Sequence, residues 1–454
     1  MMQLFQKGRQ RLAQTDPIYL CLFLAMGLVF LLISFCGISY YYLNNYTMIP
    51  VMLFWGILLT RKPDKQACIH LLGGFLVSLW FVASQSLLYA SGMGVRSPGI
   101  FFMVYLLAFP FASASRDKDA QTGLKLAGFF YIAGALMLAM YTGLLALDAL
   151  PGFLKPHVIW DGARLNPFWQ PNICACIMMI ALAFCLYFFT TQTKRLYKGI
   201  FVAISAVLLL IIALTNSRTG MLLSACLVAG FLFFNIWNSG WKRFLLAGLA
   251  AAVTVAALFL CLQGIFSLHS QHKLQQAIVQ QSSAAAESAE DPLTTDKKTG
   301  EVTLDTHSAQ STLANDMVTL NSRSNIWKAA IQAVKKNPIV LLRGSDSSGD
   351  LLWSTRKTRA MHCHNSWLEA LLTLGIPGLI AAGIFTVVAL WNIVAVMFFR
   401  NCTLEKKVLA MLILCLLIAG VMEPYLFTGS INFLYADFVF FLGLGYLTQW
   451  KKTA

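Results

Sequence analysis

The chain has 454 residues, 58% of them hydrophobic and only 12% charged, with a formal net charge of +15. That balance excludes an ordinary soluble globular enzyme, because apolar stretches of roughly 18 to 25 residues recur along the chain and each is long enough to cross a bilayer as a helix. Much of the basic excess lies in short loops beside these stretches, where it meets anionic headgroups; membrane lipids are the expected partner and nucleic acid is not.

Taken in chain order, spans are expected at 18–36, 40–60, 68–90, 99–114, 122–147, 171–190, 198–215, 219–236, 244–268, 376–399, 406–424 and 431–448. The fold class is thus an all-α polytopic membrane protein of about twelve transmembrane helices. The first span has no small-residue cleavage site and reads as a retained anchor. Alternate loops carry the Lys and Arg residues, among them Arg61, Lys62, Lys194, Arg195, Lys198, Lys242, Arg243, Lys406 and Lys407. Basic loops stay on the cytoplasmic side, so both termini are expected there and the long loop 269–364 outside. Three regions follow: a bundle of about nine spans at 1–268, an outer domain at 269–364, and an interfacial helix with the last three spans at 365–454. Nearly all the cysteines fall in or beside spans, where they act as small apolar residues.

In the outer domain, 270–320 is rich in Gln, Ser, Ala and Thr and is expected to be helical at its start and mobile beyond. From Leu320 the texture changes. Ile326, Ala330, Ile331 and Val334 recur at helical spacing and the run closes at Asn337-Pro338, which predicts an amphipathic helix along the outer surface. No repeat relates two halves of the chain, so a transporter built from two similar halves fits poorly.

Basic residues are scarce in the short outer loops, and those present need a reason. Arg218 follows Thr215-Asn216-Ser217, residues able to cap the helix that begins there. It is either a snorkelling anchor or, with the positive end of that helix, an anion clamp for phosphate or pyrophosphate. Arg164, in "WDGARLNPFWQPN", either pairs locally with Asp161 or faces the same anion, and Arg323 at the start of the outer helix is a third candidate. Arg343, Arg356 and Arg359 lie in a polar loop where charge is unremarkable. Asp117-Lys118-Asp119 is expected to be a solvated cytoplasmic loop, and Trp160, Trp169 and Trp353 are either interface anchors or surfaces for stacking on sugars.

The stretch "HCHNSWLEALLTLGIPG" at 362–378 opens with two histidines and a cysteine. A His-x-His pair needs further ligands to hold a metal and the sequence offers no matching outer cluster, so no metal is expected. His364 is either a capping histidine or a neutral imidazole that takes a proton from a sugar hydroxyl, with Asn365 orienting the ring or holding the acceptor. The helix after it is too short to span and stops at Gly375-Ile376-Pro377-Gly378, a break that keeps His364 at the outer boundary.

With these motifs in place, the chain resembles the O-antigen ligase and polymerase superfamily, the WaaL and Wzy type membrane glycosyltransferases. The signature of that group is His followed by Asn, Ser or Gln, then nine residues, then Gly-x-x-Gly; His364, Asn365, Gly375 and Gly378 fit it without a gap. The likeness extends to "NSRTG" at 216–220, to Arg164 with Pro171-Asn172, and to "RSNIWKAAIQAVKKNP" at 323–338. It implies a GT-C-like helical fold. It also implies metal-independent transfer, without a cofactor, of glycan from an undecaprenyl-pyrophosphate carrier to a glycan or glycolipid acceptor at the outer face of the bacterial inner membrane. Carried over by motif, Arg218 and Arg323 bind the donor pyrophosphate and His364 sits at the acceptor hydroxyl as the catalytic set. Arg164, Asn365 and Asn216 contact substrate. Ligase and polymerase, both acting in cell-envelope polysaccharide or lipopolysaccharide synthesis, share this donor chemistry and differ in the acceptor, as does a protein O-oligosaccharyltransferase. The rival from another class is a glycolipid flippase, for which Glu423 and Asp437 near or within the last spans are the supporting residues.

Overall fold

In the computed structural model, residues 117–146, 160–161, 164–165, 171–237, 240–289, 312–345, 348–355, 360, 362–398, 402–427 and 434–448 are described. The first four expected spans, and the part of the outer insertion at 290–311, lie outside these residues.

The described chain is helical apart from one small hairpin. Helix α1 runs Asp117–Ala146; strands β1 (Trp160–Asp161) and β2 (Arg164–Leu165) pair antiparallel. Then come α2 (Pro171–Thr191), α3 (Arg195–Leu214), α4 (Arg218–Ile236) and the long α5 (Trp241–Ala289). Beyond the insertion lie α6 (Thr312–Lys336), the short α7 (Val340–Arg343) and α8 (Ser348–Ser354). The chain closes with α9 (Ser366–Phe398), α10 (Leu404–Met422) and α11 (Leu434–Thr448).

Among the described residues, five helices are long and apolar enough to cross a membrane: α2, α3, α4, residues Trp241–Lys273 of α5, and α9. Shorter apolar runs occupy Ala127–Met140 of α1 and Ala436–Thr448 of α11. Helix α10 has Glu405, Lys406 and Lys407 in its first turn, so its apolar run begins only at Val408. Asp117 and Asp119 open α1 instead of lying in a loop. Helix α5 passes without interruption through position 268, so the expected junction between bundle and outer loop is not a break in the chain.

Helix α2 is the axis of the bundle, apolar on every side and packed by α1, α3, α4, α10 and α11. A helix that is hydrophobic all round belongs in such a position. Helices α3 and α5 lie outside, with Leu196, Val207, Leu249, Val253 and Leu260 exposed, a surface suited to lipid. Helices α2 and α4 approach closely where Gly220 meets Ala175; a methyl on Gly220 would come within 2.5 Å of the Ala175 Cβ.

A smaller core docks the outer elements onto the first half of α9. Ile326, Ala329 and Ala330 of α6 join Val340, Leu352, Cys363 and Leu372 there. The buried stripe of α6 is therefore 326, 329, 330 and 333, whereas Ile331, expected on that face, is 52% exposed. Alanines at 329, 330 and 333 let α6 lie close to Val340, Leu352 and Leu372, and Ile326 supplies the one large side chain of the stripe.

The break within α9 is real and has a tertiary reason. Gly375 takes φ 71 and ψ −168, and Pro377 follows it. The segment after α7 crosses the chain at this point: a Cβ on Gly375 would lie 2.9 Å from the Leu341 carbonyl oxygen, and one on Gly344, itself at φ 76, would lie 2.1 Å from the Thr373 oxygen. Two glycines in the left-handed or mirror-β region let two backbones cross where no side chain would fit.

Candidate functional site

The bundle has two chemically distinct ends. At one, the N-terminal turn of α10 meets the C-terminal ends of α4, α9 and α11: Lys407 Nζ sits 5.1 Å from the Phe234 ring and 5.9 Å from Trp237, Phe398 contacts both rings, and Lys406 lies 5.5 Å from Tyr446. At the other end, the starts of α2, α4 and α9 meet the end of α10, and the polar residues singled out from sequence lie there.

The turn between α3 and α4 is built by three polar residues acting on backbone. Thr215 accepts from the Ser217 N–H at 3.2 Å, Asn216 adopts φ 50, and Ser217 caps α4 by accepting from the Gly220 N–H at 3.3 Å. This is the capping expected from the sequence, and it sets Arg218 at the first position of α4. Arg164 donates from Nε to the Thr215 carbonyl at 3.3 Å, so the hairpin braces this turn.

His364 precedes α9 and has φ 50, an unusual conformation for a residue with a bulky side chain. Its neighbours hold it there. Asn365 caps α9, accepting from the Leu368 N–H at 2.9 Å, and donates to the Val421 carbonyl at 3.1 Å. Cys363 donates its N–H to Glu369 Oε2 at 2.8 Å and accepts at its carbonyl from Trp327 Nε1 at 2.9 Å; Ser348 donates to the other Glu369 oxygen. Burial beside the Glu369 carboxylate pushes the Cys363 thiol well above its ordinary range, so it is an inert packing group.

Glu423, at the C-cap of α10, is the hub. Its Oε1 accepts from Asn172 Nδ2 at 2.8 Å and from Arg323 Nη2 at 3.1 Å, and its Oε2 lies 2.9 Å from His364 Nδ1. Burial alone would raise the pKa of the Glu423 carboxyl, but the His364 ring and the Arg323 guanidinium beside it bring it below its ordinary value and keep it ionised. An ionised carboxylate can only accept, so His364 Nδ1 carries a proton, and in the neutral ring Nε2 has the lone pair. The backbone around Glu423 is fastened as firmly. Ser366 donates to the Glu423 carbonyl at 3.1 Å and accepts from the Leu426 N–H at 3.0 Å. Tyr425 donates to the Asn172 carbonyl at 2.8 Å, and Asp437 accepts from the N–H of Phe427 at 2.9 Å, where φ is 61.

His362 stacks on His364 with ring centroids 4.2 Å apart. Burial is the main reason its pKa is lowered to about 4; the neighbouring His364 ring adds to this and Glu423 opposes it.

Of the residues chosen from sequence, Arg323 and His364 meet at one carboxylate, while Arg164, Asn216 and Arg218 share the α3–α4 turn. Helix α2 links the groups: Gly220, two residues after Arg218, abuts Ala175, and Asn172 one turn earlier holds Glu423. Asn365 spends both ends of its side chain on the protein, which fits a capping role better than an acceptor contact. Arg343 is buried in α7, not set in an open polar loop. Trp353 is 45% exposed on α8; Arg356, Arg359 and Trp169 lie outside the described residues. From sequence, Glu423 enters only as a residue on the side of the flippase reading. The usable signal was an acidic residue at the same expected face as His364, yet its partners lie 59, 100 and 251 positions away.

Fold and site define a class: a multi-pass helical membrane protein with a carboxylate, an imidazole and a guanidinium gathered where the helices end. Residues 202–383 match the family model described as O-antigen ligase. The matched segment contains Arg218, Arg323, His364, Gly375 and Gly378 and stops short of Glu423. No curated protein matches the chain.

Proposed function

We propose that the protein transfers glycan from a polyprenyl-pyrophosphate carrier, undecaprenyl in a bacterial inner membrane, to a sugar hydroxyl, without a metal. The observation that carries this reading is the pairing of His364 Nδ1 with Glu423 Oε2 at 2.9 Å, which fixes the tautomer whose Nε2 can accept a proton. In the reaction the bond between the anomeric carbon and the pyrophosphate oxygen breaks. The acceptor oxygen bonds to that carbon, and its proton passes to His364 Nε2. Negative charge grows on the departing pyrophosphate, and fixed guanidinium groups offset it. Arg323 spends one nitrogen on Glu423 and one on Met422 Sδ at 3.6 Å, and its fork still has donors to offer. Arg218, at the N-terminus of α4, adds its charge to the positive end of that helix.

The side of the membrane follows from charge. Lys198, Lys242, Arg243, Lys406 and Lys407 belong to loops and helix starts at the end of the bundle away from His364, which supports a site on the outer face and cytoplasmic termini. Glu423 is engaged in the site and Asp437 holds the Phe427 backbone, which supports the transfer reading over a flippase. Ligase and polymerase remain a matter of the acceptor.

The test is transfer by the purified protein, in EDTA, from a lipid-pyrophosphate-linked oligosaccharide to candidate acceptors. Transfer should persist in EDTA, vanish in His364→Ala and fall in kcat in Arg218→Ala. Loss of transfer in EDTA, or a normal rate in His364→Ala, would overturn the mechanism.

A further inference from the structure

The sequence offers His362 and His364 as a pair with no further metal ligand in sight; the fold brings one. Among the described residues, one ring nitrogen from each histidine and one Glu423 oxygen lie within 4.8 Å of one another. Two imidazoles and one carboxylate are the donor set of open zinc sites, with a fourth position left to water. Zinc bonds of about 2.0–2.1 Å need donors roughly 3.4 Å apart, so the set must close by a small side-chain rotation. His364 and Glu423 are already at 2.9 Å, which leaves His362 to move. Glu423 Oε1 is held by Arg323 and Asn172, which orients Oε2 toward the histidines as an outer-shell partner would. Cys363, though between the two histidines, is fixed at both its N–H and carbonyl and stays out of the set.

We propose that His362, His364 and Glu423 form a binding site for a divalent transition metal of the zinc type, and that occupancy inhibits the protein. Binding through the lone pair of His364 Nδ1 shifts the single ring proton from Nδ1 to Nε2, because a neutral imidazole ligand keeps one N–H, and ties Glu423 Oε2 to the ion. Nε2 then has no lone pair with which to take the acceptor's proton. The metal is not part of the transfer reaction. His362 takes no part in that reaction and gives the site its third ligand. Hard cations such as magnesium prefer all-oxygen shells and do not compete. The inhibitory half of the proposal rests on the glycan-transfer reading; the binding half does not.

Two measurements on the full-length, EDTA-stripped protein in nanodiscs separate these halves. Equilibrium dialysis against zinc alone should give one ion per chain, with affinity weakened at least about tenfold in His362→Ala and no comparable uptake of magnesium. Where transfer is measurable, zinc should abolish it in the native protein, while His362→Ala, compared with its own rate in EDTA, should resist zinc. Absence of stoichiometric binding, binding unchanged in His362→Ala, or bound zinc that leaves transfer untouched would each overturn the proposal. A protein that binds zinc through His362 but transfers no glycan would overturn the function reading and leave the metal site standing.

Discussion

Replacing Glu423 by Gln changes two atoms and tests the site at its hub. Arg323 and Asn172 both donate toward Oε1, so the amide oxygen of Gln must occupy that position. The amide nitrogen then faces His364 Nδ1 across the 2.9 Å gap and donates to it. That nitrogen can accept only if it is unprotonated, which moves the ring proton to Nε2, the atom required as base. A carboxylate-to-amide change behind a catalytic histidine lowers kcat about 10^3- to 10^4-fold through this wrong-tautomer effect, equivalent to about 4 to 5.5 kcal/mol of barrier. Stability should change much less. At 3.1 Å the Arg323–Glu423 attraction is gross about 5 kcal/mol at an effective dielectric near 20. Water around the 22%-exposed Arg323 and relief of Glu423 desolvation offset much of it, for a net loss of about 1–3 kcal/mol. The assay pairs turnover with lipid-linked donor against a thermal unfolding curve, and ring-nitrogen NMR reports the tautomer. Native turnover in a folded Glu423→Gln protein, or Nδ1–H retained in it, would refute the reasoning.

Gly375→Ala should lower stability by about 1–3 kcal/mol, because it adds a methyl 2.9 Å from the Leu341 oxygen at a φ of 71; an unchanged unfolding midpoint would deny that the crossing is tight. On α6, Ile331→Thr should stay within about 0.5 kcal/mol of native, while Ala330→Leu should cost about 1–3 kcal/mol by overpacking the seam; equal effects would reverse the assigned face. Asn365→Ala should remove a cap worth about 1 kcal/mol and leave the KM for acceptor unchanged, and a raised KM at native stability would restore it as a substrate contact.

Periodicity and composition were enough to place helices because lipid imposes an apolar length on each segment independently of the others. The expected spans 171–190 and 219–236 match α2 and α4 within a residue or so. Ile331 falls on the wrong face because three of the four positions in the α6 seam, 329, 330 and 333, are alanines, and an apolar pattern cannot tell a seam for small residues from one for large ones.

By itself, the sequence determined that this is a helical membrane protein. It also supplied the local devices: the Ser217 cap, the Gly-Ile-Pro-Gly break, and His364 and Arg218 at helix starts, all written in residues a few positions apart, whereas Arg323, expected at the start of its helix, lies in the middle of α6. Tertiary structure alone decided what those residues face. Glu423 joins Asn172, Arg323, His362 and His364 because α2, α6, the start of α9 and the end of α10 meet there. The crossing of Gly344 and Gly375 steadies the chain behind them. Contacts across 59 to 251 positions cost loop-closure entropy that only the packed bundle repays, so no local pattern could announce them.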